Sequence, residues 1–499
     1  MSGLGGLLDG LTTAFAPLNL LACFGGALVG TLIGVLPGLG PVATISILLP
    51  VTYYLDPTAA LIMLAGIYYG AQYGGSTAAI LVNLPGEASS VVTCLDGYQM
   101  ARQGRAGKAL AISAIGSFFA GCVATILIAI FSPPLIAVAQ SFSAVEYTSL
   151  MSLGLVGAMV LARGSLLKAF AMTVLGLLLS LVGTDPEVGT RRMTLGFPDL
   201  YDGMGFVVVA MGLFGIAEIL RNVDSGEARA LVSAKLDRPW PTRRDMRDAV
   251  PAIGRGTAVG SLLGVLPGGG AILSSFASYA IEKRISRQPE RFGTGVIEGV
   301  AAPEAANNAG AQTSFIPMLT LGIPANAVMA LMVGALMLHG VTPGPTLIDE
   351  KPELFWGVIA SMWLGNLMLL VINLPLVGLW ARLLLVPYRV LFPGILLLCC
   401  IGVYSVNNNV FDLYLLAVFG TLGFVLATLE FESGPLVLGF VLGPLLEENF
   451  RRAMALSDGD GSVFVTRPIS AVVLAIAVVL LAFTLMPAVR RQRELAFKE

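Results

Sequence analysis

Long uninterrupted apolar runs dominate the chain. They fall at about 11–36, 40–54, 57–83, 109–131, 143–162, 164–182 and 203–222. After a polar stretch they resume at 250–281, 295–340, 354–381, 390–407, 410–429, 434–446 and 468–486. Runs of about 20 apolar residues have the length of membrane-crossing helices. A transmembrane barrel would alternate apolar and polar residues along each strand, and these runs do not alternate. The pattern therefore predicts an all-α polytopic membrane protein of about 12 transmembrane segments. The polar stretch 224–249 divides the chain into a first transmembrane repeat (1–223), a cytoplasmic connector (224–249), a second transmembrane repeat (250–446), and a final span with a cytoplasmic tail (447–499).

Composition sharpens this picture. Charged residues make up 12% of the chain and apolar ones 56%, with a mean hydropathy of +0.84. A soluble domain carries roughly a quarter charged residues, so a soluble enzyme and a disordered chain are excluded. Lys and Arg number 29 against 31 Asp and Glu, which leaves no basic field for nucleic acid. The basic loops around Arg102, Arg105 and Lys108, around Arg163 and Lys168, in the connector, around Lys283–Arg291 and in the tail can all be cytoplasmic together. Arg191 and Arg192 then fall outside. The five cysteines show no metal-site or disulfide spacing and read as small apolar residues. The N-terminus lacks the basic region of a cleaved signal, so the first segment is expected to stay in the protein. The lone histidine, His339, rules out a two-histidine metal site, and no phosphate-binding loop motif is present.

The 59 glycines and 28 prolines are the unusual feature. They recur in a repeat. Gly30–Gly40, GTLIGVLPGLG, matches Gly260–Gly270, GSLLGVLPGGG, at eight of eleven positions and an offset of 230. A weaker pair follows in the same order, Tyr73–Gly86 and Ala311–Pro324, each leading through an apolar run to Pro85 or Pro324. Five spans separate the first pair, and an odd number inverts the second copy. Inverted repeats with broken or re-entrant helices are the plan of secondary transporters, whose sites lie at helix breaks near the midplane. Pro37 and Pro267 block helix continuation, and Gly38, Gly40, Gly268 and Gly270 allow the backbone to turn. Such tips expose N–H groups suited to carboxylates and carbonyls suited to Na⁺. The glycine rows Gly26–Gly30–Gly34 and Gly256–Gly260–Gly264 read instead as close helix packing.

Ser76, Thr77 and Asn83 beside the first break, and Asn307, Asn308, Thr320 and Asn326 beside the second, are the candidate polar ligands for substrate. A Na⁺ site is expected near Pro37, Pro267, Asn307 and Asn308. Glu298 and Glu304 read as interfacial helix-end acids, with a coupling role as the alternative. Asp96 reads as a structural residue of a cytoplasmic turn. Neither motif pair contains a cation, so an anionic substrate would rely on helix ends, amides, hydroxyls and bound cations.

The chain resembles the large membrane subunit of tripartite tricarboxylate transporters. The resemblance rests on GVLPGLGP (34–41), the stretch 68–110, PEAANNAGAQTSFIPMLTLGIP (303–324) and GVTPGP (340–345). It implies a secondary-active permease in the bacterial inner membrane that imports carboxylates, is coupled to Na⁺ and needs no other cofactor. It further implies a small membrane subunit and a periplasmic solute-binding protein as partners. A proton-coupled carrier and a passive anion channel are the alternatives. The family pattern has Pro-Gly at the second break where this chain has Pro324-Ala325, a difference expected to change the backbone freedom there.

Overall fold

The computed structural model describes residues 3–36, 40–162, 165–185, 187–224, 240–266, 270–383 and 388–485. Most of them are helical. Among the described residues, Gly183–Thr184 paired with Arg191–Arg192 is the only strand pair. In chain order the main helices are α1 (Gly3–Ala14), α2 (Pro17–Val35), α3 (Pro41–Tyr53), α4 (Pro57–Val82), α5 (Ala106–Ala139), α6 (Ala144–Leu161), α7 (Leu166–Ser180) and α8 (206–224). The second half holds α9 (Arg243–Gly264), α10 (Gly270–Ile285), α11 (Glu298–Thr313), α12 (Phe315–Leu321), α13 (Ala327–Leu338), α14 (Pro352–Asn373), α15 (Val377–Leu383), α16 (Tyr388–Asn407), α17 (Phe411–Thr428), α18 (Ser433–Leu456) and α19 (Pro468–Leu485).

The helix starts follow local chemistry. Pro17, Pro41 and Pro57 open α2, α3 and α4, where a missing N–H costs nothing. Asp56 caps α4 by accepting from the Thr58 and Ala59 amides at 2.9 and 3.2 Å. A Thr242–Asp245 capping box starts α9 before the apolar run, so residue 250 marks the onset of apolarity inside a helix already formed. Likewise α18 continues past residue 446, carrying Glu447, Glu448, Arg451 and Arg452, which pair at i,i+4. Residues 225–239 of the connector lie outside the described residues.

Among the described residues four helices combine the length and apolarity to cross a bilayer: α2, α5, α14 and α17. Six shorter apolar helices accompany them. Large apolar side chains such as Leu21, Phe131, Leu262, Val371 and Val479 point outward, a surface suited to lipid. At the closest helix contacts the interior is built from small residues. Gly26, Gly30 and Gly34 of α2 face the carbonyls of Met63, Ile67 and Ala71 on α4 so closely that a Cβ would collide with them. Gly256, Gly260 and Gly264 of α9 face the carbonyls of Ala302, Ala306 and Gly310 on α11 in the same manner. The glycine rows are packing faces, as the sequence pattern indicates. Helix α5 packs against α11, and α14 packs against α1, α4 and α5.

Candidate functional site

The glycine contacts set the register between the two halves. Helix α2 maps onto α9 at the offset of 230 seen in the sequence. Helix α4 maps onto α11 and α12 at an offset of 239, carrying Ile67 to Ala306 and Ala71 to Gly310. This places Tyr73 opposite Gln312 and corrects the motif pairing by one residue. The corrected register aligns the breaks. Asn83 (φ 57°) and Gly322 (φ 72°) are both left-handed helix caps. Pro85 matches Pro324, and Glu87 matches Asn326; both of the latter are extended N-cap residues of the helical segment that follows. Ala325 does not carry the turn. The left-handed residue is Gly322, so alanine at 325 removes no needed backbone freedom.

Each break lies across the glycine-rich tip of its own half. Gly86 is seated against the Gly34 carbonyl and Gly75, a contact that admits no side chain. In the second half, Gly270 takes a φ of +45° at the start of α10, and a Cβ there would lie 3.0 Å from Asn326 Nδ2. Asn326 accepts from the Met329 amide at 3.0 Å, and its Nδ2 donates to Ser314 Oγ at 3.4 Å. Ser314 Oγ also contacts the Gly264 carbonyl at 2.9 Å. Gly40 is the N-cap of α3, and its carbonyl accepts from the Thr44 amide and hydroxyl. Pro37, Gly38, Pro267 and Gly268 lie outside the described residues.

The two breaks converge. Tyr68 on α4 lies beside Asn326 of the second break, within the electrostatic reach of Glu87 of the first. Gln72 donates to Glu87 at 3.0 Å and accepts from Ser89 at 2.7 Å. Ser275 on α10 donates to the Ser89 carbonyl at 2.7 Å, tying the second tip's helix to the first break.

A second polar array runs between α5 and α11. Ser113, Ser117 and Thr125 on α5 face Glu304, Asn308 and Gln312 on α11, both sets repeating at helical spacing. Ser113 Oγ donates to Glu304 at 3.1 Å, Asn308 Nδ2 donates to Ser117 Oγ at 2.7 Å, and Thr125 Oγ1 donates to Gln312 Oε1 at 3.2 Å. Ser76 and Thr93 also contact the Glu304 carboxyl. Glu304 is 0% exposed, which overturns the reading of it as an interfacial acid. Glu298 alone is the helix-end acid, in the first turn of α11. The N-terminus of α11 is itself covered. Asp96 accepts from the Gly293, Gly295 and Val296 amides and from Tyr279, which pins the preceding loop over it, a structural role.

Residues 20–438 match the tripartite tricarboxylate transporter TctA family. The chain belongs to this family. A protein of Agrobacterium vitis described as "Uncharacterized 52.8 kDa protein in TAR-I ttuC' 3'region" is 57% identical over 490 residues, 98% of each chain. A second one, "Uncharacterized protein in TAR-II ttuC' 3'region", is 60% identical over 240 residues, 48% of this chain and 99% of its own length. No solved structure matches. Membership makes the chain a membrane-embedded component of a tripartite transport system.

In this TctA-family chain the sequence candidates separate into three groups. Gly270 and Asn326 meet at the second tip. Ser76, Asn307 and Asn308 gather around Glu304, the two asparagines within the continuous helix α11 rather than at a break. Thr77 and Thr320 bond to carbonyls of their own helices, and Asn83 is an exposed cap. Tyr68, Gln72, Glu87, Thr93 and Ser113 were not singled out by the sequence pattern. Glu87 follows Pro85-Gly86 directly, and that adjacency is the signal that could have found it.

A cavity of about 880 Å³ lies elsewhere, between the 183–204 loop and α18. Its charged lining is internally paired: Arg451 and Arg192 bind Asp185 at 2.9 and 3.6 Å, and Arg192 binds Glu447 at 2.7 Å. Amides of residues 187 and 188, with Arg451, hold the Asp185 carboxyl well down, at about 2.

Proposed function

We propose that this chain is the permease subunit of a secondary-active carboxylate importer in a bacterial inner membrane. The substrate is held where the two helix breaks converge on Tyr68. The two halves, with about 12 spans between them, stand as inverted repeats, and one moves relative to the other around that fixed site. A small membrane subunit and a periplasmic solute-binding protein complete the system. The binding protein delivers a tricarboxylate or a related organic acid.

The observation that carries this reading is the helix break that occurs in both halves, each lying against its own half's glycine-rich stretch through a different contact, Gly86 on Gly34 and Asn326 beside Gly270. Left-handed caps and N-cap residues recur in it at one register. The chemistry favours cation coupling. Neither motif pair contains a lysine or arginine to meet an anion, so inward movement of a cation, with Na⁺ the first candidate, offsets the charge of the loaded carrier.

The test is uptake of labelled carboxylates by membrane vesicles holding the complete system, with and without an inward Na⁺ gradient. Accumulation that collapses with the gradient supports the reading. Accumulation indifferent to every cation gradient overturns the coupling.

A further inference from the structure

Resting on the carrier reading, we propose that Glu304, with Ser76, Thr93 and Ser113, is the site where a coupled monovalent cation neutralises a buried carboxylate. Four separate segments supply the oxygens: α4, the turn at Val91–Thr93, α5 and α11. Ser76 and Thr93 belong to the first half's break region and Glu304 to the second half, so the site spans the contact between the halves.

Proton counting leaves a place for an added positive charge. A serine hydroxyl has one proton to donate. Ser76 Oγ lies 2.9 Å from the Gln72 carbonyl, which only accepts, and also touches Glu304 Oε2. An ionised carboxylate only accepts as well, so Ser76 can give one full hydrogen bond between the two. Thr93 occupies Oε1, and Ser113 also donates to Oε2. A cation at Oε2, either a proton shared with Ser76 or a sodium ion bound by the same oxygens, resolves the conflict.

The surroundings offer no resident counter-charge. Among the described residues no lysine, arginine or histidine pairs with Glu304. Arg255 on α9, the helix packed against α11, is held by Glu282 through contacts of 2.6 and 2.8 Å. The titratable groups facing Glu304 are Tyr73 from α4 and Cys94 from the turn after Thr93, neither of which is cationic in any protonation state. A bare carboxylate buried here would lack compensation, and such groups are retained in membranes chiefly for function.

Unspent polar atoms lie beside the site. Asn307 Nδ2 approaches the carboxyl without meeting hydrogen-bond geometry, and Asn308 Oδ1 has no partner. A cavity of about 10 Å³, the size of one water, is lined by Ser113, Tyr73, Thr77 and Asn373. The Tyr73 hydroxyl and Asn373 Oδ1 are buried without partners. Ser113 therefore touches both the carboxyl and this small cavity, whose other lining is Leu110, Ala114, Leu374 and Val377.

Two measurements test the site. The first is infrared difference spectroscopy of the full chain in lipid, wild type against Glu304→Gln, at neutral pH, with and without NaCl. A protonated-carboxyl band absent from the variant and unmoved by Na⁺ identifies a proton. A carboxylate band of Glu304 that shifts on adding Na⁺ identifies sodium. Absence of both signals overturns the proposal. If Glu304→Gln fails to fold, Ser113→Ala and Thr93→Val must each shift the same band, and no shift overturns it. The second measurement is transport by the complete system at zero membrane potential. Glu304→Gln should keep substrate exchange but lose accumulation above equilibrium. Accumulation equal to wild type overturns the proposal. The infrared arm needs no substrate, so its failure is separable from failure of the carrier reading.

Discussion

The close approach of α2 and α4 makes a quantitative prediction. A Cβ on Gly70 would lie 2.7 Å from the Ala27 carbonyl, 3.0 Å from the Thr31 amide and 3.1 Å from Gly30 Cα. All three obstacles are backbone atoms, so no side chain can swing aside. Gly70→Ala must push the helices apart. Gly25 is also helical, on α2, but a Cβ there meets nothing within 4 Å. Both substitutions gain the same intrinsic helix propensity, roughly 1 kcal/mol. Their difference therefore isolates the steric cost, about 1–3 kcal/mol for overpacking a well-filled interface. That corresponds to a shift of about 5- to 140-fold in the folded-to-unfolded ratio. The assay is reversible unfolding of the purified protein in mixed micelles by increasing detergent denaturant. The second repeat repeats the experiment, with Gly260→Ala blocked by the Ala306 carbonyl and Gly254→Ala open. Equal stability of Gly70→Ala and Gly25→Ala would refute the packing assignment.

Other expectations follow from the same geometry. Asn326→Ala removes the cap of α13 and should cost about 1 kcal/mol of stability in the same unfolding assay, while Asn326→Asp keeps the cap. At Asn83, where φ is 57°, Asn83→Gly should be tolerated and Asn83→Val should destabilise by about 1–2 kcal/mol, read by thermal unfolding. Asn307→Leu and Asn308→Leu should each abolish carboxylate uptake while the protein stays in the membrane; normal uptake by both would remove them from the site. Asp185, whose carboxyl is held at about 2 against an ordinary 3.8, supports the 183–204 loop fully above about 4 and loses that support as pH falls through about 2. Hydrogen exchange of the loop should therefore rise over that window in wild type and be raised already at neutral pH in Asp185→Asn.

The legible part of the fold was the part written in backbone-breaking residues. The offset of 230 between the Pro-Gly tips and the glycine packing rows could both be read directly, because proline and glycine act through their own shape. The pairing of α4 with α11 was less legible, since its two copies share backbone geometry and not side chains. Asn83 and Gly322 reach one left-handed conformation by different chemistry, and Glu87 and Asn326 cap by different groups. The polar seam was hidden for another reason. Ser113, Ser117 and Thr125 are isolated hydroxyls in an apolar run, and only the contact with α11 shows that they form one face. The depth of Glu304 rests on Ser76, Thr93 and Ser113, contacts between residues about 190 to 230 positions apart in the chain.

The central claim is that carboxylate crosses at the convergence of the two breaks. It is tested most directly by gradient-driven uptake of a labelled carboxylate panel into vesicles holding the complete system. Wild type is compared with Tyr68→Phe, Glu87→Gln and Asn326→Leu, each confirmed in the membrane. The account predicts concentrative uptake of at least one carboxylate by wild type, and a changed substrate concentration for half-maximal uptake or outright loss in all three variants. Uptake of no carboxylate, or wild-type uptake by all three variants, would contradict it.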